Sequence, residues 1–121
     1  MIKFHKEHTW AKVTDDTAII GISDYAQSKL TNIVFIELPN IGEEAKQGEK
    51  IATVESVKSV SDVISPLSGE VIEVNKELMD SPEIINSDPY VKGWMIKIKV
   101  KDKSELDNLM TKGEYEKQNK S

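Results

Sequence analysis

Lys58 is the residue around which chemistry can be built. It lies in the run Val54-Glu55-Ser56-Val57-Lys58-Ser59-Val60-Ser61-Asp62-Val63-Ile64-Ser65-Pro66. The segments on either side of it have strand character, which leaves Lys58 in a tight connection. A lysine on an exposed turn is ordinarily a solvated charge. Other groups carry less. His5 and His8 are three apart, so an extended segment points them to opposite faces. With no cysteine, no third histidine and no H-E-x-x-H motif, they predict no metal site. Glu43-Glu44 and Asp15-Asp16 sit beside turn signals and read as solvated loops, not as an acid–base pair. Trp10 and Trp94 read as core or half-buried strand residues. Neither a G-x-G-x-x-G nor a G-K-[ST] motif is present.

The elements that must position Lys58 follow from period-two alternation. Trp94, Ile96, Ile98 and Val100 share one strand face, with Met95, Lys97 and Lys99 on the other. Ala18, Ile20 and Ile22 form a second stripe, preceded by a strand containing Val13 and a turn at Asp15-Asp16. Ile33 to Leu38 is apolar almost throughout, predicting a strand buried on both faces that stops at Pro39-Asn40. Ile51–Glu55, Val60–Ser65 and Glu70–Val74 are further strands, punctuated by Gly42, Gly48, Pro66, Gly69 and Pro82. Ser23 caps a predicted helix over Asp24 to Leu30. Ser104, with Asp107 three residues on, resembles a capping box and opens a second helix over about 104–113, with Leu106, Leu109 and Met110 as its apolar stripe. Gly113 would end or bend it, leaving a polar, frayed tail from Glu116. Gly48-Glu49 and Gly69-Glu70 each lead into a strand at an offset of 21 residues, a faint duplication with Lys58 near its midpoint.

Composition bounds the function. At 121 residues the chain is one domain, 1–121, large enough for a core without staples. Zero cysteines exclude a disulfide framework and a thiol nucleophile. A net charge of -5 argues against a nucleic-acid partner. All 16 basic residues are lysine, and the absence of arginine argues against bidentate phosphate recognition. No apolar run approaches the ~20 residues of a membrane span. Met1 to Lys6 lacks the apolar stretch of a signal peptide, so the expected location is cytoplasmic, or the mitochondrial matrix if a transit peptide has been removed.

Taken block by block, the chain resembles the H proteins of the glycine cleavage system, a family of lipoyl carriers. Glu55-Ser56-Val57-Lys58 followed by Ser61-Asp62 is similar to the family's lipoylation motif. Gly21 to Gln27, Val34 to Pro39, Ser65 to Asn75, Asn86 to Tyr90 and Gly93 to Ile98 match its other segments in order. Biotin carriers resemble the hairpin but flank their lysine with methionines, where this chain has Val57 and Ser59. The resemblance implies an all-β, lipoyl-domain-like flattened barrel or sandwich (a barrel-sandwich hybrid) with small helical additions and a C-terminal helix. It implies a lipoyl hairpin at about 51–66, with lipoate in amide linkage on Lys58. Glu55, Ser56, Val57, Ser59 and Asp62 would be read by a lipoate ligase or lipoyl/octanoyl transferase. The implied partners are a pyridoxal-phosphate glycine decarboxylase, a folate-dependent aminomethyltransferase and a flavin-dependent dihydrolipoyl dehydrogenase. The arm would carry the aminomethyl group of glycine from the first to the second. The protein is expected to be a monomeric carrier, the substrate of its partners and not itself an enzyme. Zero cysteines agree with this, because the redox sulfurs would belong to the cofactor.

Two departures stand out. His8-Thr9-Trp10 replaces the family's His-Glu-Trp, in which the Glu helps line the cleft that shelters the arm. Glu7 could supply the missing carboxylate from the same face of a regular strand, beside His8 and Asp62 as the other cleft residues. Leu30-Thr31-Asn32 replaces the usual Leu-Gly-Asp/Glu. The first departure leaves room for a relay protein that passes lipoyl or octanoyl groups to 2-oxoacid dehydrogenases. An unmodified β-barrel interaction module is the remaining alternative.

Overall fold

The computed structural model describes residues 2–119. Nine strands form two sheets: β1 (Ile2–Phe4), β2 (Thr9–Thr14), β3 (Thr17–Ile22), β4 (Ile33–Glu37), β5 (Glu44–Ala45), β6 (Lys50–Ser56), β7 (Val60–Ile64), β8 (Gly69–Val74) and β9 (Ile96–Val100). The larger sheet has the order β1-β2-β3-β9-β8-β5 and the smaller the order β4-β6-β7, with every pairing antiparallel. The sheets do not close on each other. The architecture is therefore the sandwich form of the expected lipoyl-domain-like fold.

Alternation decides what lies between the sheets. Ala18, Ile20 and Ile22 of β3 and Ile96 and Ile98 of β9 are buried, and so are Ala52 and Val54 of β6 and Val63 of β7. They belong to one core cluster. A second, aromatic cluster of Phe4, Trp10 and Tyr115 packs at one end. Trp10 pairs with Gly21 across β2–β3 and donates from Nε1 to the Ile22 carbonyl at 2.9 Å. A Cβ on Gly21 would meet the Trp10 ring at 2.7 Å, so only glycine allows this approach.

Short helices complete the fold. In α1 (Asp24–Leu30), Ser23 is the N-cap as expected, its Oγ accepting from Ala26 N–H at 3.1 Å. Single-turn helices α2 (Glu77–Asp80) and α3 (Ile84–Ser87) lie between β8 and β9. The expected C-terminal helix over 104–113 is not formed. A 3-10 helix covers Lys103–Asn108, capped by Asp102, whose carboxylate accepts from Ser104 N–H at 3.0 Å. The chain then extends so that Met110 bridges Phe4 beside β1. α4 (Lys112–Gln118) follows, with Thr111 and Glu114 making a reciprocal capping box. Pairing of Met110 with Phe4 breaks the helical period that Leu106, Leu109 and Met110 suggested. Gly113 consequently falls inside the first turn of α4. The expected frayed tail is helical through Gln118, and Lys120 and Ser121 lie outside the described residues.

β4 also differs from expectation. Ile33 and Ile36 are buried, but Val34 and Phe35 are 50% and 53% exposed. The strand is an edge of the smaller sheet with a bulge between Ile33 and Phe35, and nothing among the described residues covers its outer face.

The Leu30-Thr31-Asn32 departure has a conformational consequence. Thr31 ends α1 at φ 65°, ψ -143°, a region nearly reserved for glycine. A β-branched residue there is strained by about 1–3 kcal/mol. Its carbonyl accepts from Asn86 Nδ2 at 2.8 Å, which helps hold the strained geometry. Thr31→Gly is expected to raise unfolding stability by about 1 kcal/mol, read as a higher denaturant midpoint at unchanged slope.

Candidate functional site

Lys58 lies at the tip of the β6–β7 hairpin, exposed to solvent. The rungs below it are Glu55 with Val60, Val54 with Ser61, and Thr53 with Asp62. Val54 is buried, so parity turns Glu55 and Val60 outward and leaves the three-residue tip Val57-Lys58-Ser59 in solvent. Ser56 organises that tip. It is buried, and its Oγ accepts from Lys58 N–H at 3.2 Å and Ser59 N–H at 3.1 Å. Its own N–H donates to the Ser59 carbonyl at 2.8 Å, and Val57 N–H donates to the Asn32 carbonyl at 3.0 Å. The expected recognition residues thus divide. Ser56 holds the turn from inside, while Glu55, Val57, Ser59 and Asp62 face outward.

Beside the hairpin is a cleft of about 290 Å³. Val54, Ser61, Asp62 and Val63 of the hairpin form one wall. Tyr25, Ala26, Lys29 and Leu30 of α1 form another. The turn before β2 adds Glu7 and His8, and β2 itself adds Thr9. Glu7, His8 and Asp62 are therefore brought to one cleft, but not in the manner expected. Glu7 sits in a turn between β1 and β2, where His8 has φ 73°. The regular strand expected to place Glu7 on the same face as Thr9 begins only at Thr9, and Glu7 reaches the cleft from the turn. Thr9 is fully buried and its Oγ1 donates to the Ile64 carbonyl at 2.7 Å, tying β2 to β7 across the sandwich. A glutamate cannot donate that bond. Asp62 stands 3.8 Å from Lys50, both side chains more than half exposed. Such a pair is worth about 0–1 kcal/mol and leaves the carboxylate available.

The α1 wall was not foreseen. Its signal was present in the sequence, since Tyr25 and Lys29, like Ala26 and Leu30, are spaced i,i+4 and share a helix face. Lys29 Nζ lies 5.4 Å from the Tyr25 ring centroid. No group of three or more His, Asp or Glu side chains suited to a metal is found among the described residues. His5 Nδ1 accepts from Glu7 N–H at 3.0 Å, and His8 Nδ1 is 2.7 Å from the Tyr115 hydroxyl.

An open two-sheet sandwich with a lysine projecting from a tight hairpin beside a cleft defines a lipoyl-domain-like carrier fold. The family model for glycine cleavage H-protein matches residues 2–121. The chain is 51% identical over 114 residues to the glycine cleavage system H protein of Halothermothrix orenii, covering 94% of this chain and 89% of that one. It is 50% identical over 116 residues to the corresponding protein of Carboxydothermus hydrogenoformans, covering 96% and 89%. The crystal structure of a glycine cleavage system H protein from Mycobacterium marinum superposes with a TM-score of 0.87 at 35% identity, covering 98% of this chain and 95% of that one. The chain belongs to the glycine cleavage H-protein family. No helix among the described residues is long and apolar enough to cross a membrane.

Burial lowers the pKa of both histidines; the Glu7 carboxylate opposes this at each, and Lys6 adds to it at His5. The unfolded chain binds these protons near pH 6.5, whereas the folded chain resists them to lower pH. Their contribution is thus complete above that value and declines as the pH falls through it. Thermal midpoints measured from about pH 8 down to about 5.5 are expected to fall, and His8→Gln is expected to flatten the decline.

Proposed function

We propose that this chain is the lipoyl carrier of the glycine cleavage system, with lipoate joined in amide linkage to Nζ of Lys58. The observation that carries the reading is the Ser56-braced tip, which projects the Lys58 amine into solvent beside a cleft, in a chain of this family. The bound group supplies a dithiolane that accepts the aminomethyl group released from glycine. The chain's own residues present the amine, keep the tip rigid and offer a sheltered surface. The Val54–Ser61 rung that lines the cleft is about three residues, or ~10 Å, from the tip. A lysine extended by a lipoyl group is longer than that. Ile22, Ala26, Leu30, Val54 and Val63 suit an aliphatic arm, and Glu7 and Asp62 suit a cationic end.

The carrier is the substrate of others: glycine decarboxylase loads it, aminomethyltransferase unloads it, and dihydrolipoyl dehydrogenase reoxidises it. A lipoate ligase or lipoyl/octanoyl transferase attaches the cofactor, reading Glu55, Val57, Ser59 and Asp62 around the braced turn. The protein works as a monomer in the cytoplasm.

Intact-mass measurement and peptide mapping on protein from its native cell are expected to place one lipoyl group on Lys58 and none on the other lysines. Lys58→Arg is expected to abolish it with stability changed by less than about 0.5 kcal/mol, because the side chain is exposed and guanidinium stays protonated. Lipoate on another lysine overturns the assignment.

The cleft is tested separately. Spontaneous unloading consumes water, frees the methylene carbon as formaldehyde, releases ammonia and regenerates the thiol. Asp62→Asn and Glu7→Gln are expected to leave lipoylation intact and speed ammonia release from loaded protein by at most about fivefold each, the worth of an exposed ion pair. An unchanged rate in both variants excludes a carboxylate-lined shelter.

A further inference from the structure

Behind the cleft, hydrogen bonds join three segments remote in sequence. Ala26 N–H donates to Ser23 Oγ at 3.1 Å. Ser23 Oγ lies 2.6 Å from the Tyr115 hydroxyl, which lies 2.7 Å from His8 Nδ1. Counting protons gives this chain a direction. Ser23 is fully buried, and no buried side-chain polar atom among the described residues lacks a partner. Its oxygen already accepts from Ala26, so its proton has one acceptor within reach, the Tyr115 oxygen. Asn119 also meets the Tyr115 hydroxyl, but as a donor, its own Oδ1 accepting from Gln118 Nε2. The Tyr115 proton then goes to His8 Nδ1, which is bare. The reverse order strands the Ser23 proton in the interior, at the cost of an unsatisfied buried donor.

We propose that Tyr115 is a positioning residue of the cleft, through whose hydroxyl the C-terminal helix holds His8 as the neutral Nε2–H tautomer beside Glu7 and Asp62. The consequence is electrostatic. The charged groups lining the cleft are the carboxylates of Glu7 and Asp62 and the ammonium of Lys29, with Tyr25 the other ionisable wall residue. With His8 neutral the cleft is acidic and accepts a cation. With His8 charged that bias is cancelled. His5 accepts Glu7 N–H on the far side of the same turn, and Lys50 meets Asp62 only at the surface. Burial of His8 acts in the same direction as the relay, and Glu7 alone opposes it. The tyrosine ring is held independently, stacked on Phe4 at 4.5 Å, so the hydroxyl can be removed without the packing.

This inference rests on the carrier reading for its purpose but not for its test. Nitrogen-15 NMR of the unmodified protein reads the His8 tautomer with no substitution. The expected result is a protonated Nε2 and a bare Nδ1. In Tyr115→Phe the expected result is mixed tautomers and a His8 titration shifted up toward the ordinary value. An Nδ1–H signal in the wild type, or unchanged tautomer and titration in Tyr115→Phe, overturns the proposal. On loaded protein, Tyr115→Phe is expected to speed ammonia release by about twofold to fivefold near pH 6, with the difference vanishing near pH 8. A purely structural loss would raise the rate equally at both, and that result also overturns the proposal. A Lys58 found without lipoate would fail the carrier reading and leave the NMR result standing.

Discussion

The constraint on which the structure depends is burial of the inner face of the three-stranded sheet. Ala52, Val54 and Val63 can be dry only if β6 and β7 pair as observed. Fully burying Val54 and Val63 contributes about 3–6 kcal/mol together, whereas each hydrogen bond at the turn contributes about 0.5–1.5. A slip of one residue would put these side chains in water and reverse every side chain up to the tip. The core therefore sets where Lys58 points, and Ser56 only sharpens the turn around it. The direction of the Lys58 side chain is thus fixed by apolar residues several positions away from it.

The open edges of the sandwich are the second determinant. β7 is an edge of the smaller sheet, and residues of α1 line the cleft beside it. Thr9 spans the two sheets with a single side-chain bond to the Ile64 carbonyl, in place of a strand ladder. That leaves room for a cleft at the side of the very hairpin whose tip carries the lysine. Thr9 ties the two sheets through its hydroxyl, and the carboxylate of Glu7 reaches the cleft from the turn before β2.

Strain and capping locate the parts that are not simple alternation. Thr31 is held in a glycine-like conformation where α1 must turn back into β4, and Asn86 bonds to its carbonyl. His8 takes a left-handed conformation where β1 turns into β2, placing its ring against Tyr25 and Tyr115. Both positions lie at the ends of elements that meet the cleft, so the departures from regular structure are concentrated where the surface is shaped.

The amino-acid pattern alone determined the strands of the core, the α1 cap at Ser23, the hairpin around Lys58 and the family. Each rests on local periodicity or on a contiguous motif, and both survive in one dimension. It did not determine the C-terminal end, because Leu106, Leu109 and Met110 have helical spacing while Met110 is claimed by Phe4, more than a hundred residues earlier. Nor did it show that Phe35 faces solvent, because an apolar run does not reveal whether its strand is at an edge. Glu7 reaches the cleft through a backbone reversal at His8 that no spacing rule contains. Tyr115 reaches His8 and Ser23 only because α4 folds back across β1. Side-chain direction along a strand is set by parity and is legible in sequence. Which remote groups share a proton is set by packing between elements, and only the tertiary structure decides it.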